Sequence, residues 1–172
     1  MGWKALKDHY KIKNIVQVRN GAICIGNAHI PDVIIITESG PKWSDRRVPT
    51  GYPDLRGYFS DIVADLSVMQ DLMNMPDRFD NSLPVFTYID ADVIELRCES
   101  YGWPNCTHDG QCMYDNKFFE SRISAISACK KDAKNRLDRI LDHISTLENE
   151  LKSARELLQK DQLNYSLANA LS

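Results

Sequence analysis

The sequence has no run of eighteen apolar residues, which excludes a membrane-spanning helix. It also lacks a Walker loop, a Rossmann glycine pattern, a nucleophile elbow and an H-E-x-x-H pair. The common nucleotide-binding, esterase and zinc-protease signatures are therefore missing. The opening, Met1 followed by Gly2-Trp3-Lys4-Ala5-Leu6-Lys7, has basic residues but no apolar h-region, so it reads as no signal peptide. Position 6 is Leu rather than Ser or Thr, which argues against myristoylation at Gly2. Cysteine occurs five times, an odd number that, without a secretory signal, fits reduced thiols in a cytoplasm. Proline and glycine are absent after Gly110, so nothing there interrupts a helix.

What is present fits one compact domain and an appendage. The 172 residues are 43% apolar, enough for a core, and 26% charged. The net charge of −3 hides a segregation. Residues 1–57 carry nine Lys and Arg against five Asp and Glu, residues 58–120 three against twelve, and residues 121–172 nine against seven. The middle third is thus strongly acidic. It is either a solvated surface or a face complementary to a basic partner surface that normally holds nucleic acid.

The last third is the most specific signal. From Ser121, a candidate N-cap, apolar or small residues recur with heptad spacing through Ile123, Ile126, Ala133, Leu137, Ile140, Ile144, Leu147, Leu151, Ala154 and Leu158. With Leu137, Ile144, Leu151 and Leu158 at a, positions d hold Ala133, Ile140, Leu147 and Ala154. Glu150 at g and Arg155 at the following e suit parallel helices, whereas the small d alanines suit antiparallel ones. Leu141 and Leu157 widen the stripe beyond a two-stranded seam, and Lys130 weakens its N-terminal end. Self-association through Leu137, Ile140, Ile144, Leu147, Leu151 and Leu158 is expected, with packing on the chain's own body as the alternative.

Upstream, residues 3–12 offer a helical turn or extended lead-in, with Trp3 and Leu6 packing inward. Asn20-Gly21 between two alternating apolar runs predicts a hairpin with a type I′ turn. Residues 33–37 predict a third strand buried on both faces, and residues 41–53 an ordered loop. Asp54 can cap one amphipathic helix running to about Met75. Residues 83–98 give one long strand or two short ones, breaking near Asp90 and Asp92, and Asp109-Gly110 gives a turn. The expectation is an α+β fold. A small antiparallel sheet with one packed helix occupies residues 1–120, and a long coiled-coil-like helix occupies 121–172.

Three groups of residues are candidate sites. Cys98, Cys106, His108 and Cys112 could supply a tetrahedral zinc shell, but the C-x7-C-x-H-x3-C spacing lacks paired knuckles, so no metal and no cofactor is expected. Asp61 and Asp65 share a helix face and Asp90 and Asp92 lie two apart, either pair being able to hold Mg²⁺ or act as acid and base. Solvated carboxylates are commoner, and no enzyme is expected. The basic N-terminal part interleaves Lys11, Lys13, Arg19, Lys42, Arg46 and Arg47 with Trp43 and Tyr52, a mixture that can bind phosphate and stack bases, although the neighbouring acidic third repels nucleic acid.

The segment from Gly102 to Phe119, with Trp103-Pro104-Asn105, Asp109-Gly110, Tyr114, Asn116 and Phe119 ahead of a Ser-capped charged helix, resembles a pattern in bacteriophage and prophage accessory proteins. The opening six residues after Met1 and the helix carrying Asp54-Leu55, Tyr58-Phe59 and Ala64-Asp65 resemble them too. The resemblance implies a small phage gene product that binds a host component, as inhibitors of CRISPR and other defence systems do, and it brings no catalytic residues. The resulting expectation is a non-enzymatic, self-associating protein that engages a host protein in the host cytoplasm through Asp61, Asp65 and Asp71 and through Trp43, Arg46 and Arg47. The alternative is a nucleic-acid- or nucleotide-binding module using the basic N-terminal region.

Overall fold

Asn20 and Gly21 adopt φ of +49° and +74°, the pair of positive values that a type I′ turn needs. They join β1 (Ile15–Arg19) to β2 (Ala22–Gly26), with Arg19 directly opposite Ala22. In this computed structural model, residues 1–27, 29–44 and 53–170 are described. The chain divides into two units, Met1–Ile126 and Ser127–Ser172. This is an α+β protein, as the sequence implied.

β3 (Ile34–Thr37) and β4 (Gly40–Trp43) complete a four-stranded antiparallel sheet in the order β1-β2-β3-β4. Side chains alternate across a strand, so register sorts them into faces. The row Val16, Ile25, Ile34 and Trp43 and the row Val18, Ile23, Ile36 and Pro41 share one face, where Val16, Ile23, Ile25, Ile34 and Ile36 are fully buried. The opposite face carries Gln17, Cys24, Ile35 and Lys42. The Gln17 amide donates to the Pro31 carbonyl there, which satisfies a buried polar group. Ile35 is only half-buried, so β3 is covered completely on one face rather than on both. β4 falls where the sequence suggested a loop. Its Pro41 cannot donate to a ladder, and an edge strand is where a sheet tolerates that.

Three helices, not one, surround this sheet's core. α1 (Trp3–His9) buries Trp3 and Leu6. The single helix expected from Asp54 to Met75 is two, α2 (Pro53–Ala64) and α3 (Leu66–Asn74). Pro53 takes the first helical position, so Asp54 lies inside the first turn rather than at the cap. Leu55, Ile62, Met69, Leu72 and Met73 enter the core, while Leu66 is exposed just past the break.

Residues 83–98 form two strands, β5 (Leu83–Ile89) and β6 (Asp92–Cys98), turning at Asp90 with φ +53°. Val85, Cys98 and Met113 make a second, smaller core with Leu83, Leu96, Tyr101 and Phe118. The turn at Asp109-Gly110 then docks on the first sheet. Val18 N–H, on the outer edge of β1, donates to the Gly110 carbonyl at 2.8 Å, and the Trp3 indole N–H donates to the His108 carbonyl at 3.0 Å. Ser121 caps α4 (Arg122–Ala170), accepting the Ser124 N–H at 3.1 Å. The division between the units falls inside α4, because Ala125 in its first turn is fully buried. Among the described residues no helix is long and apolar enough to cross a membrane.

Asp77 bonds the start of α1 from a distance, its Oδ1 accepting the N–H groups of Lys4 and Ala5 at 2.9 Å each. Burial raises its pKa above the ordinary 3.8, against the lowering by those N–H donors. A carboxyl raised by folding contributes most below 3.8 and loses that contribution as pH climbs through its folded value. Asp77→Asn keeps the accepting oxygen and cannot ionise. Its urea-unfolding stability relative to the parent is expected to rise between about pH 4 and pH 7.

Gly110 has φ +84°, and a Cβ there would lie 2.4 Å from Val18 Cγ2. Gly110→Ala is expected to cost about 2–4 kcal/mol in thermal or urea unfolding. Gly57, in the middle of α2 with nothing near a Cβ, is the control: Gly57→Ala should stabilise by about 0.5–1 kcal/mol.

Candidate functional site

Asp61 and Asp71 are exposed, on α2 and α3 respectively. Asp65 sits between these helices with φ −138° and accepts the Val68 N–H at 3.2 Å and the Ser67 hydroxyl at 3.0 Å. It is the N-cap of α3, so Asp61 and Asp65 do not share one continuous helix face. Both carboxylates raise the pKa of Tyr10, after the larger effect of burial. The Tyr10 hydroxyl is buried and has no hydrogen-bond partner among the described residues. Trp43 at the end of β4 stacks on Phe59 of α2, with centroids 4.5 Å apart and planes 15° from parallel. One ring face is therefore used in packing, and Trp43 lies half-buried against the core. Arg46 and Arg47 lie outside the described residues. Of the remaining basic residues, Arg19 pairs with Asp32 at 3.7 Å.

The sequence cluster Cys98, Cys106, His108 and Cys112 does not converge on one point. Cys106 and Cys112 are directly opposed as an antiparallel bridge, and Cys98 is opposed to Thr107. Neighbouring positions on a strand point to opposite faces, so Cys98 and Cys106 are directed apart. The His108 ring stacks on Phe79 at 3.8 Å and 7°, and its Nε2–H donates to the Asn81 carbonyl. Among the described residues no three His, Cys, Asp or Glu gather as a metal site. A concavity of about 580 Å³ is lined by Met1, Gly21, Thr37, Glu38, Ser39, Met73 and Asn74. Glu38 is the one ionisable side chain among these, which gives no acid–base pair.

All five cysteines are free thiols. The Cys106 S–H donates to the Val16 carbonyl at 3.2 Å. The facing Cys112 sulfur, together with burial, raises the pKa of Cys106, and the facing Cys106 thiol lowers that of Cys112. Lys7 lowers both.

The second unit presents the heptad stripe. Every residue from 133 to 167 is exposed. Leu137 is 56% exposed, Ile140 57%, Ile144 45%, Leu147 49%, Leu151 52% and Leu158 58%. Polar side chains on the same helix bond back to its own backbone, as Thr146 does to the Asp142 carbonyl and Ser153 to that of Asn149.

No family model, curated protein or solved structure matches the chain.

The geometry thus brings together the helix stripe expected from the heptads and separates the zinc candidates. The opposed thiols were present in the sequence as a C-x5-C pair centred on the Asp109-Gly110 turn. That symmetry is the signal that places two cysteines across a hairpin. The role of Asp65 as cap distinguishes it from its neighbour. Asp65→Ala should cost about 1 kcal/mol in urea unfolding, whereas Asp61→Ala should stay within about 0.5 kcal/mol of the parent.

Proposed function

We propose that the chain is a non-enzymatic binding protein that self-associates through α4. Its α+β body would engage a host protein, in the way a phage-encoded defence inhibitor does. The observation that carries the first half is the exposed stripe from Leu137 to Leu158. Helices without tertiary packing draw little stability from propensity alone, and long ones in proteins normally bury an apolar face. Covering a half-exposed Leu or Ile is worth about 1 kcal/mol. Six such residues on each of two helices compare with an association cost of about 4–15 kcal/mol, so assembly should depend on concentration.

The resemblance of residues 102–119 to phage accessory proteins supports the second half, as does the −9 charge of residues 58–120, which suits a basic partner surface. Asp61, Asp65 and Asp71 are the exposed acidic residues assigned to that contact, Asp65 serving also as the N-cap of α3.

Light scattering on the full chain should give a molar mass above that of one chain, rising with concentration. Ile144→Asp with Leu151→Asp should return it to a single chain while the near-ultraviolet circular dichroism of the body is unchanged. A parent that stays monomeric at high concentration defeats self-association. Affinity purification from defence-bearing host cells checks the partner, and recovery of no defence-system subunit defeats that half.

A further inference from the structure

Cys106 and Cys112 lie on the two arms of the turn 107–111, whose ends are closed by bonds from Thr107 N–H to the Gln111 carbonyl and from Met113 N–H to the Asn105 carbonyl. The thiols therefore occupy the non-hydrogen-bonded position between two bonded pairs. At such a position opposed Cα atoms stand about 4.5 Å apart, with both side chains on one face. That is inside the span a disulfide bridges, roughly 4.4–6.8 Å. The turn is held firmly. The Thr107 hydroxyl donates to the Asp109 carboxylate, the Gln111 amide donates to the same carboxylate at 2.7 Å, and Gly110 is bonded to β1.

The two sulfurs differ in access. Cys112 is 5% exposed, whereas Cys106 is half-buried and lines a cavity of about 150 Å³ together with Trp3, Lys4, Lys7 and Asn105. We propose that Cys106 and Cys112 are a redox dithiol, which a low-molecular-weight disulfide entering by this cavity converts into an intrachain cross-link.

The step is a pair of thiol–disulfide exchanges. Cys106 Sγ, its proton released to solvent, attacks one sulfur of the small disulfide as the thiolate. A mixed disulfide forms, and the first small thiolate departs. Cys112 then releases its proton to that thiolate and attacks Cys106 Sγ, forming the protein S–S bond and expelling the second small thiolate, which takes the remaining proton from solvent. The protein loses two hydrogens and two electrons, and the small disulfide is reduced to two thiols. Cys106 Sγ also lies 3.2 Å from the Val16 carbonyl. Oxidation removes its capacity to donate there, so the change is felt on the backbone of β1.

The test uses the full, reduced chain with oxidised glutathione at neutral pH, quenched in acid and read by intact mass and peptide mapping. The expected result is a loss of two hydrogens, a cross-linked peptide containing Cys106 and Cys112, and no retained glutathione. Cys112→Ser should retain one glutathione on Cys106, because the resolving thiol is gone. Cys106→Ser should lose the cross-link and leave Cys112 unmodified. Lasting glutathione on Cys106 of the parent, a cross-link to Cys24, Cys98 or Cys129 instead, or no reaction of the folded parent would each overturn the assignment. The parent's own peptide map decides the matter even if a variant fails to fold.

Discussion

Two hydrogen bonds, from Val18 N–H to the Gly110 carbonyl and from the Trp3 indole to the His108 carbonyl, tie the four-stranded sheet and α1 to the segment that follows the second hairpin. They answer a general demand. β1 is an edge strand, and its outward N–H and C=O groups need partners or they invite pairing with another chain. Only a glycine lets the turn come this close, since any side chain at position 110 meets Val18. The geometry of residues 105–113 follows from this seam. With His108 held at Trp3 and Gly110 at Val18, the two arms of the turn have a fixed separation, and Cys106 and Cys112 are brought to face one another.

The same seam disperses the cysteine and histidine cluster among the described residues. His108 contributes its backbone carbonyl to Trp3 and its ring to a stack on Phe79, which itself lies near Trp3 with centroids 6.2 Å apart. The His108 Nε2–H is held on the Asn81 carbonyl and Cys98 is directed away from Cys106, so the four side chains do not converge. Cys98, one strand away, serves the small core with Val85 and Met113. Residues close in sequence thus divide among three tasks: packing, an aromatic stack and a thiol pair.

The unit Ser127–Ser172 follows different physics. Its stability as a continuous helix cannot come from tertiary contacts along residues 133–167, all of which face solvent. Backbone hydrogen bonds and the absence of proline and glycine permit the helix. The unburied Leu and Ile side chains supply a reason for it to find a partner. A binding protein assembled in this way would present more than one copy of its body, raising the effective concentration of a weak contact.

Much of this was legible in the residue pattern, and the reason is locality. Asn20-Gly21 dictated its turn because positive φ is a property of those residues. Ser121 capped α4 through its own hydroxyl, and the heptads drew the stripe without reference to any other segment. Other features depended on contacts distant in sequence. The helix expected from Asp54 to Met75 broke at Asp65, whose carboxylate began a new helix instead of extending the acidic face. A four-residue strand carrying Pro41 became recognisable only once β3 lay beside it. Sequence alone determined the α+β class, the hairpin turns and the course of α4, because each is set by residues within a few positions of one another. The fate of Trp43, the dispersal of the zinc candidates and the meeting of Cys106 with Cys112 were decided by tertiary structure, because burial and the docking of one edge choose among orientations that local chemistry leaves equal.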